Sequence, residues 1–239
     1  MSQPSLEGRC ALVTGVSRRI GIGAAIARRL ADMGADLFLC GWSAHDAAQP
    51  WRADHPDGIE VMEADFLDPA APAEVMAAAV ASLGHVDVLV ANHARSDHLG
   101  LLETNPEELD AQWAVNTRAT LLLVQAFAAQ HDGRTGGRVV MMTSGQHRGP
   151  MPGELGYVAT KGAIHQVTRT LAAELLARGI TVNTVNPGAT DTGWATPEQR
   201  ERVPAWGHSD AAARLIAWLC TDDACWINGQ VIDSTGAPF

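Results

Sequence analysis

Short apolar runs alternate with longer helical stretches along almost the whole of this 239-residue chain, and no other feature limits its possible folds as strongly. The runs are CALVT from Cys10, DLFLC from Asp36, IEVME from Ile59, VDVLVA from Val86, RVVMMTS from Arg138, ITVNTVN from Ile180 and QVIDS from Gln230. Between them lie helical patterns over Gly23–Met33, Pro72–Leu83, Pro106–Gln130 and about Gly156–Arg178, with a last helix before QVIDS. Strand and helix in alternation make βαβ units and a parallel sheet. The runs are continuously apolar, as strands are when helices cover both faces. Right-handed crossovers then favour an α/β doubly wound, Rossmann-type sheet of seven parallel strands, with ligands at the strands' carboxyl ends. The length suits one domain over 1–239, with a cofactor half at about 9–145 and a catalytic and substrate half at about 146–239.

Composition removes several functions. A net charge of −10 argues against nucleic acid or an anionic membrane as the main partner. No apolar stretch approaches the roughly 18 residues of a membrane span. Met1–Arg9 is polar and lacks a basic region followed by an apolar segment, so the cytoplasm is the expected location. The nine histidines show no HExxH or paired His/Cys spacing, and no metal site is expected. Cys10, Cys40, Cys220 and Cys225 match neither a zinc ribbon nor a CxxC pair and are read as small core residues.

The chemistry begins after the first strand, at Gly15-Val-Ser-Arg-Arg-Ile-Gly21-Ile-Gly23, which runs into the Ala-rich helix AAIARRLADMG. Glycines there let the chain turn sharply and let backbone amides approach a pyrophosphate at a helix N-terminus. Gly15, Ser17, Arg18, Arg19, Ile20, Gly21, Ile22 and Gly23 are therefore candidate cofactor contacts. The second strand ends Cys40-Gly41-Trp42-Ser43, without the acidic residue that takes ribose hydroxyls in an NAD site. With Arg18 and Arg19 nearby as partners for an extra phosphate, this favours NADP(H), with NAD(H) still open and with a solvated loop as the arginines' other reading. Trp42 and Ser43 join the candidate set. Asp65, followed by Phe66, either accepts from an adenine amino group or caps a turn.

Tyr157 and Lys161 stand four apart on a predicted helix and share one face. A phenol has a pKa near 10, and a neighbouring ammonium favours its ionised form. Tyr157 is the only tyrosine in the chain. Ser144 closes its strand, where a hydroxyl can hold a substrate oxygen. Asn116 is polar in the apolar context AVNTRATLLLV, and the helix there changes character. Each residue also has a purely structural reading: a solvated helix pair, a turn cap, a backbone bond. Their joint occurrence after the glycine turn favours chemistry.

With these motifs the chain resembles the short-chain dehydrogenase/reductase family, and within it the 3-oxoacyl-acyl-carrier-protein reductases. The likeness spans essentially the whole chain, including Asn92 in VLVANHA, Asn186-Pro187-Gly188 and the INGQVID tail. It implies that Tyr157 is the acid in carbonyl reduction and the base in alcohol oxidation. Lys161 would lower its pKa and hold the nicotinamide ribose, and Ser144 would steady the substrate oxygen. Asn116 would interrupt its helix and support a water relaying protons to Lys161. Asn92, His93, Ala94, Pro187, Gly188, Thr190 and Thr192 would line the cofactor. Around the expected substrate pocket lie Ser144, Gln146, His147, Met151, Pro152, Glu154, Tyr157, Trp194 and Trp206. The resemblance further implies a small-molecule or carrier-linked carbonyl substrate and a homo-oligomer, tetramer or dimer. A non-catalytic nucleotide-binding sensor or scaffold and an enoyl reductase are the competing functions.

Three departures bear on the site. The glycine turn is two residues longer than the family's TGxxxGxG, which leaves open which of Ser17, Arg18, Arg19 and Ile20 faces phosphate. His93 stands in Ala91-Asn92-His93-Ala94 where Asn-Asn-Ala-Gly is usual, turned either into the pocket or outward. The tail ends Ser234-Thr235-Gly236-Ala237-Pro238-Phe239 in place of Gly-Gly. The irregular stretch Asp191–Ser209 is expected to be either a substrate-covering loop or a surface connection with a short helix at Glu198–Arg202.

Overall fold

The computed structural model describes residues 5–47, 60–193, 195, 201 and 206–235. Seven strands, β1 (Cys10–Thr14), β2 (Asp36–Gly41), β3 (Val61–Glu63), β4 (Val88–Ala91), β5 (Gly137–Met142), β6 (Ile180–Asn186) and β7 (Val231–Asp233), form one sheet in the order β3-β2-β1-β4-β5-β6-β7. Every neighbouring pair is parallel. This is the doubly wound sheet expected from the sequence.

The side-chain period of two explains why the strands are apolar throughout. Ala11 and Val13 of β1, Val88 and Val90 of β4, and Val140 and Met142 of β5 pack on one face against α1 (Ile22–Asp32) and the helix Ser209–Leu219. Leu12, Leu89, Val139 and Met141 point to the opposite face, against α3 (Ala71–Leu83), α5 (Ala119–Gln130) and α6 (Leu155–Leu175). Leu12, Leu89 and Phe127 are fully buried, and burial of such a side chain stabilises the fold by about 1.5–3 kcal/mol.

The remaining helices are α2 (Ser43–Ala47), α4 (Pro106–Gln112) and α7 (Ser209–Leu219). The region Pro106–Gln130 is three segments: α4, a π-helical turn at Trp113–Arg118, and α5. Asn105 caps α4 by accepting from the Glu108 amide at 2.9 Å, and Pro106 follows at the first helical position. The π turn falls where Asn116 was expected to interrupt the helix. It widens the carbonyl ladder and frees Val115 O for another donor, as π-bulges do. The helix at Gly156–Arg178 is α6 followed by a 3₁₀ turn, Leu176–Arg178, closed by Gly179 at φ 74°.

All four cysteines are free. Cys10, Cys40 and Cys220 are buried, but Cys225 is exposed, against expectation, because it follows the short surface turn Asp222–Ala224 rather than an apolar run. Among the described residues no helix is long and apolar enough to cross a membrane.

Candidate active site

The order β2-β1-β4-β5 reverses the winding between β1 and β4, and a cleft opens where their following loops part. A cavity of about 690 Å³ occupies it, running from Cys40, Gly41 and Ala64 across to Met142, Ser144 and Pro187.

The glycine turn forms one wall. Gly15 has φ +73°, and a Cβ there would lie 2.8 Å from the backbone N and Cα of His93. A Cβ on Gly23 would lie 2.3 Å from Gly15 O and 2.7 Å from Asn92 Nδ2. Neither position admits a side chain. Asn92 fastens this turn to β4, donating from Nδ2 to Thr14 O at 3.2 Å and Gly15 O at 3.1 Å. The resulting backbone cradle at the start of α1 fits a pyrophosphate, so the residues present suit a dinucleotide.

The turn's two extra residues bulge outward. Ser17, Arg18, Gly21 and Ile22 line the cavity, whereas Ile20 is exposed and the Arg19 carbonyl accepts from the Arg28 guanidinium at 3.1 Å. Gly23 sits buried beneath the cradle. Arg18 donates to Thr192 O at 3.1 Å and pairs with the buried Asp46 at 3.3 Å. Burial lowers its pKa while Asp46 supports the charge. Asp46, on α2, had no distinguishing signal in the sequence beyond being a carboxylate shortly after the second strand.

Trp42 lines the cavity, but Ser43 turns away, its amide donating to Glu63 at 2.8 Å and its hydroxyl bonding the same carboxylate. Asp65 both faces the cavity and closes a turn, with Oδ1 accepting from the Leu67 amide at 2.9 Å. Phe66, Asn92, Ala94, Pro187, Gly188, Thr190 and Thr192 also line it.

His93 turns inward. Its Nε2 lies 3.0 Å from Val115 O, the carbonyl freed by the π turn, and its Nδ1 lies 2.8 Å from Thr14 Oγ1. A carbonyl only accepts, so Nε2 carries the proton and Nδ1 accepts from the threonine hydroxyl. The ring packs on Phe66 at 4.3 Å between centroids. Burial, and then the nearby Lys161 charge, push its pKa down to about 3, leaving a neutral imidazole.

Ser144, Tyr157 and Lys161 meet at the other end of the cavity. Burial raises the Tyr157 pKa to about 12, while a hydrogen bond with Ser144 lowers it and the Glu154 charge raises it further. Lys161 Nζ donates to Met142 O at 3.1 Å and stands 5.8 Å from the Tyr157 ring centre. Burial lowers its pKa to about 8. Burial is the largest influence on the phenol. Ser144 supplies the lowering contribution.

Asn116 is fully buried and lies outside the cavity wall. Its Oδ1 accepts from Arg95 N at 2.7 Å, and its Nδ2 donates to Arg95 O at 2.8 Å and Thr160 Oγ1 at 3.0 Å. The side chain therefore clamps the loop after β4 onto α6. Gln146 also turns from the cavity, donating to Thr143 Oγ1 at 3.0 Å. Trp194 and most of Glu198–Arg202 lie outside the described residues, whereas Trp206, Met151, Pro152 and Glu154 line the cavity. Arg95 and Ser96, absent from the sequence reading, line it too, although they directly follow the quoted Asn92-His93-Ala94.

The family description short chain dehydrogenase matches residues 9–203. The chain belongs to the short-chain dehydrogenase/reductase family. It is 40% identical to the uncharacterized oxidoreductase YjdA of Bacillus subtilis, covering 96% of each chain. Versicolorin reductase 1 of Aspergillus parasiticus is 32% identical, over 98% of this chain and 97% of that one. The crystal structure of the angucycline C-6 ketoreductase LanV with bound NADP superposes with a TM-score of 0.85, at 31% identity, over 98% of this chain and 96% of that one. As a member of this family the chain is an NAD(P)-dependent dehydrogenase or reductase acting on small molecules.

At the opposite end of this short-chain dehydrogenase's sheet, Cys10, His85 and Asp87 bring potential metal-ligand atoms within 4.8 Å of one another. Asp87 Oδ2 there already accepts from the Cys10 amide at 3.0 Å and bonds His85 Nε2 at 2.9 Å, so hydrogen bonding accounts for the cluster.

Proposed function

We propose that the chain is an NADP(H)-dependent ketoreductase interconverting a small ketone and its secondary alcohol. The observation that carries this reading is the convergence of Ser144, Tyr157 and Lys161 on a cavity whose far wall is the glycine cradle with Arg18. Tyr157 gives its phenolic proton to the carbonyl oxygen and takes it back in the reverse direction, with Ser144 holding that oxygen. Lys161 recharges the phenol and holds the nicotinamide ribose. Asn116 supports the proton path by shaping the π turn and fixing the Arg95 loop. When bound, the nicotinamide supplies or accepts the hydride.

Gly15, Ser17, Arg18, Gly21, Ile22, Trp42, Asp65, Phe66, Asn92, Ala94, Pro187, Gly188, Thr190 and Thr192 are proposed cofactor contacts. Preference for NADP(H) is supported by Arg18 in the cavity wall and by Gly41-Trp42-Ser43 at the end of β2, none of which is acidic. The NADP bound in LanV and that protein's ketoreductase name agree with this reading. Exposed Leu101, Leu102, Leu109 and Trp113 support a homo-oligomeric enzyme.

The test is NADPH oxidation with a panel of ketones, repeated with Tyr157→Phe. Turnover should fall by about 10²–10⁴-fold in the variant while nucleotide binding persists. Full turnover in the variant would overturn the role of Tyr157. Nucleotide binding without reduction of any carbonyl compound would favour the sensor reading, and reduction confined to activated carbon–carbon double bonds the enoyl reductase.

A further inference from the structure

Glu154 lines the same cavity three residues before Tyr157, and its charge acts on the phenol. It is the N-cap residue of α6, yet its side chain makes no capping hydrogen bond. Among the described residues its carboxylate forms no hydrogen bond or ion pair. Burial and then the charge of Asp97 raise its pKa. Asp97 has a buried Oδ2 that also lacks a donor. The guanidinium on the same loop, Arg95, is closed on Glu108 at 2.7 and 2.6 Å. Lys161 is held against Met142 O.

A partly buried carboxylate without a counter-charge is unfavourable, and a ligand that brings a cation relieves it. We propose that Glu154 is a cation subsite, so that the preferred substrates are ketones carrying a protonated amine, with the ammonium against Glu154 and the carbonyl at Ser144 and Tyr157. The proposal rests on the ketoreductase reading and narrows it away from acidic, carrier-linked acyl chains, which the same carboxylate repels. Pro150, Met151 and Pro152 provide apolar wall for the alkyl groups of such an amine. The bound cation also opposes the push of Glu154 on the Tyr157 phenol, making that phenol a better acid with the charged ketone than with a neutral one.

Two ketones of nearly equal shape test this: 1-methylpiperidin-4-one, protonated near neutral pH, and neutral 4-methylcyclohexanone. With NADP⁺ present no ketone is reduced, so calorimetric titration reads binding alone. The charged ketone should bind about ten-fold or more tightly, the scale of one charge-assisted hydrogen bond. Glu154→Gln should shrink that ratio below about three-fold. Equal binding of the two ketones to the unaltered enzyme, or a preference that survives in Glu154→Gln, would overturn the subsite. The comparison in the unaltered enzyme needs no variant, so misfolding of the substituted chain does not protect the proposal. Parallel NADPH assays separate the two claims: selective binding of the charged ketone without its reduction would remove the ketoreductase reading and leave the cation subsite standing.

Discussion

His93 makes the stability of this protein depend on pH in a way that one substitution isolates. Its imidazole is buried, with a pKa moved from 6.5 down to about 3. The sign follows from which state takes up the proton. In the unfolded chain His93 protonates as pH falls through 6.5, while the folded protein resists protonation down to about 3. Stability is therefore intact above 6.5 and lost progressively as pH falls toward 3. Each unit of pH within that window removes about 1.4 kcal/mol, so two units remove about 2–3 kcal/mol.

The perturbation is His93→Gln, and the assay is urea unfolding at about pH 7 and about pH 4.5 at fixed protein concentration. The variant loses the packing on Phe66 and is less stable at both pH values. That offset cancels when the two pH values are compared, as do the other groups that titrate in the window. The unaltered protein should lose about 2–3 kcal/mol more on acidification than the variant. Equal losses would mean that His93 titrates as freely when folded as when unfolded, and would refute the buried clamp between Thr14 and Val115.

Arg18→Ala should weaken NADPH by about 10–100-fold, the loss of a charged hydrogen-bonding partner, with a much smaller effect on NADH. Asp46→Asn should strengthen NADPH binding by freeing the Arg18 guanidinium, and fluorescence titration reads both. Gly23→Ala should abolish nucleotide binding and lower the melting temperature, because the added Cβ meets Gly15 O at 2.3 Å, a backbone atom that cannot turn aside. Asn116→Ala should cost about 2–4 kcal/mol in chemical denaturation, since it leaves the partly buried Arg95 backbone groups without their partner.

The sheet was legible because its cause is local: a parallel strand covered on both faces must be apolar throughout, and CALVT, RVVMMTS and ITVNTVN are. The break at Asn116 was legible for a similar reason, a polar side chain within an apolar helix. What that side chain holds was not, because Arg95 reaches it from a loop 21 residues away in the chain. The same limit applied to the long glycine turn. Its composition did not say which residues bulge outward. The close approach of Ser17 to Gly41, 3.3 Å from where a Cβ would stand, and the pairing of Arg18 with Asp46 decide that. Gln146 and Ser43 had suitable chemistry for the site but found nearer partners in Thr143 and Glu63.

Glu154 is the converse case. The sequence put it among the residues around the substrate, but a carboxylate just before a helix reads as a helix-terminal charge, stabilised by the dipole and needing no other explanation. Only when the cap is seen to be unmade and Arg95 closed on Glu108 does its charge stand without a partner. A partly buried charge with no cation of its own bears on substrate choice more than one already paired, because binding a cation there breaks no existing ion pair. Arg18 differs in this respect. A phosphate that binds it must compete with Asp46, so its effect on affinity is smaller than that of an unpaired arginine, whereas a cation at Glu154 meets no such competition.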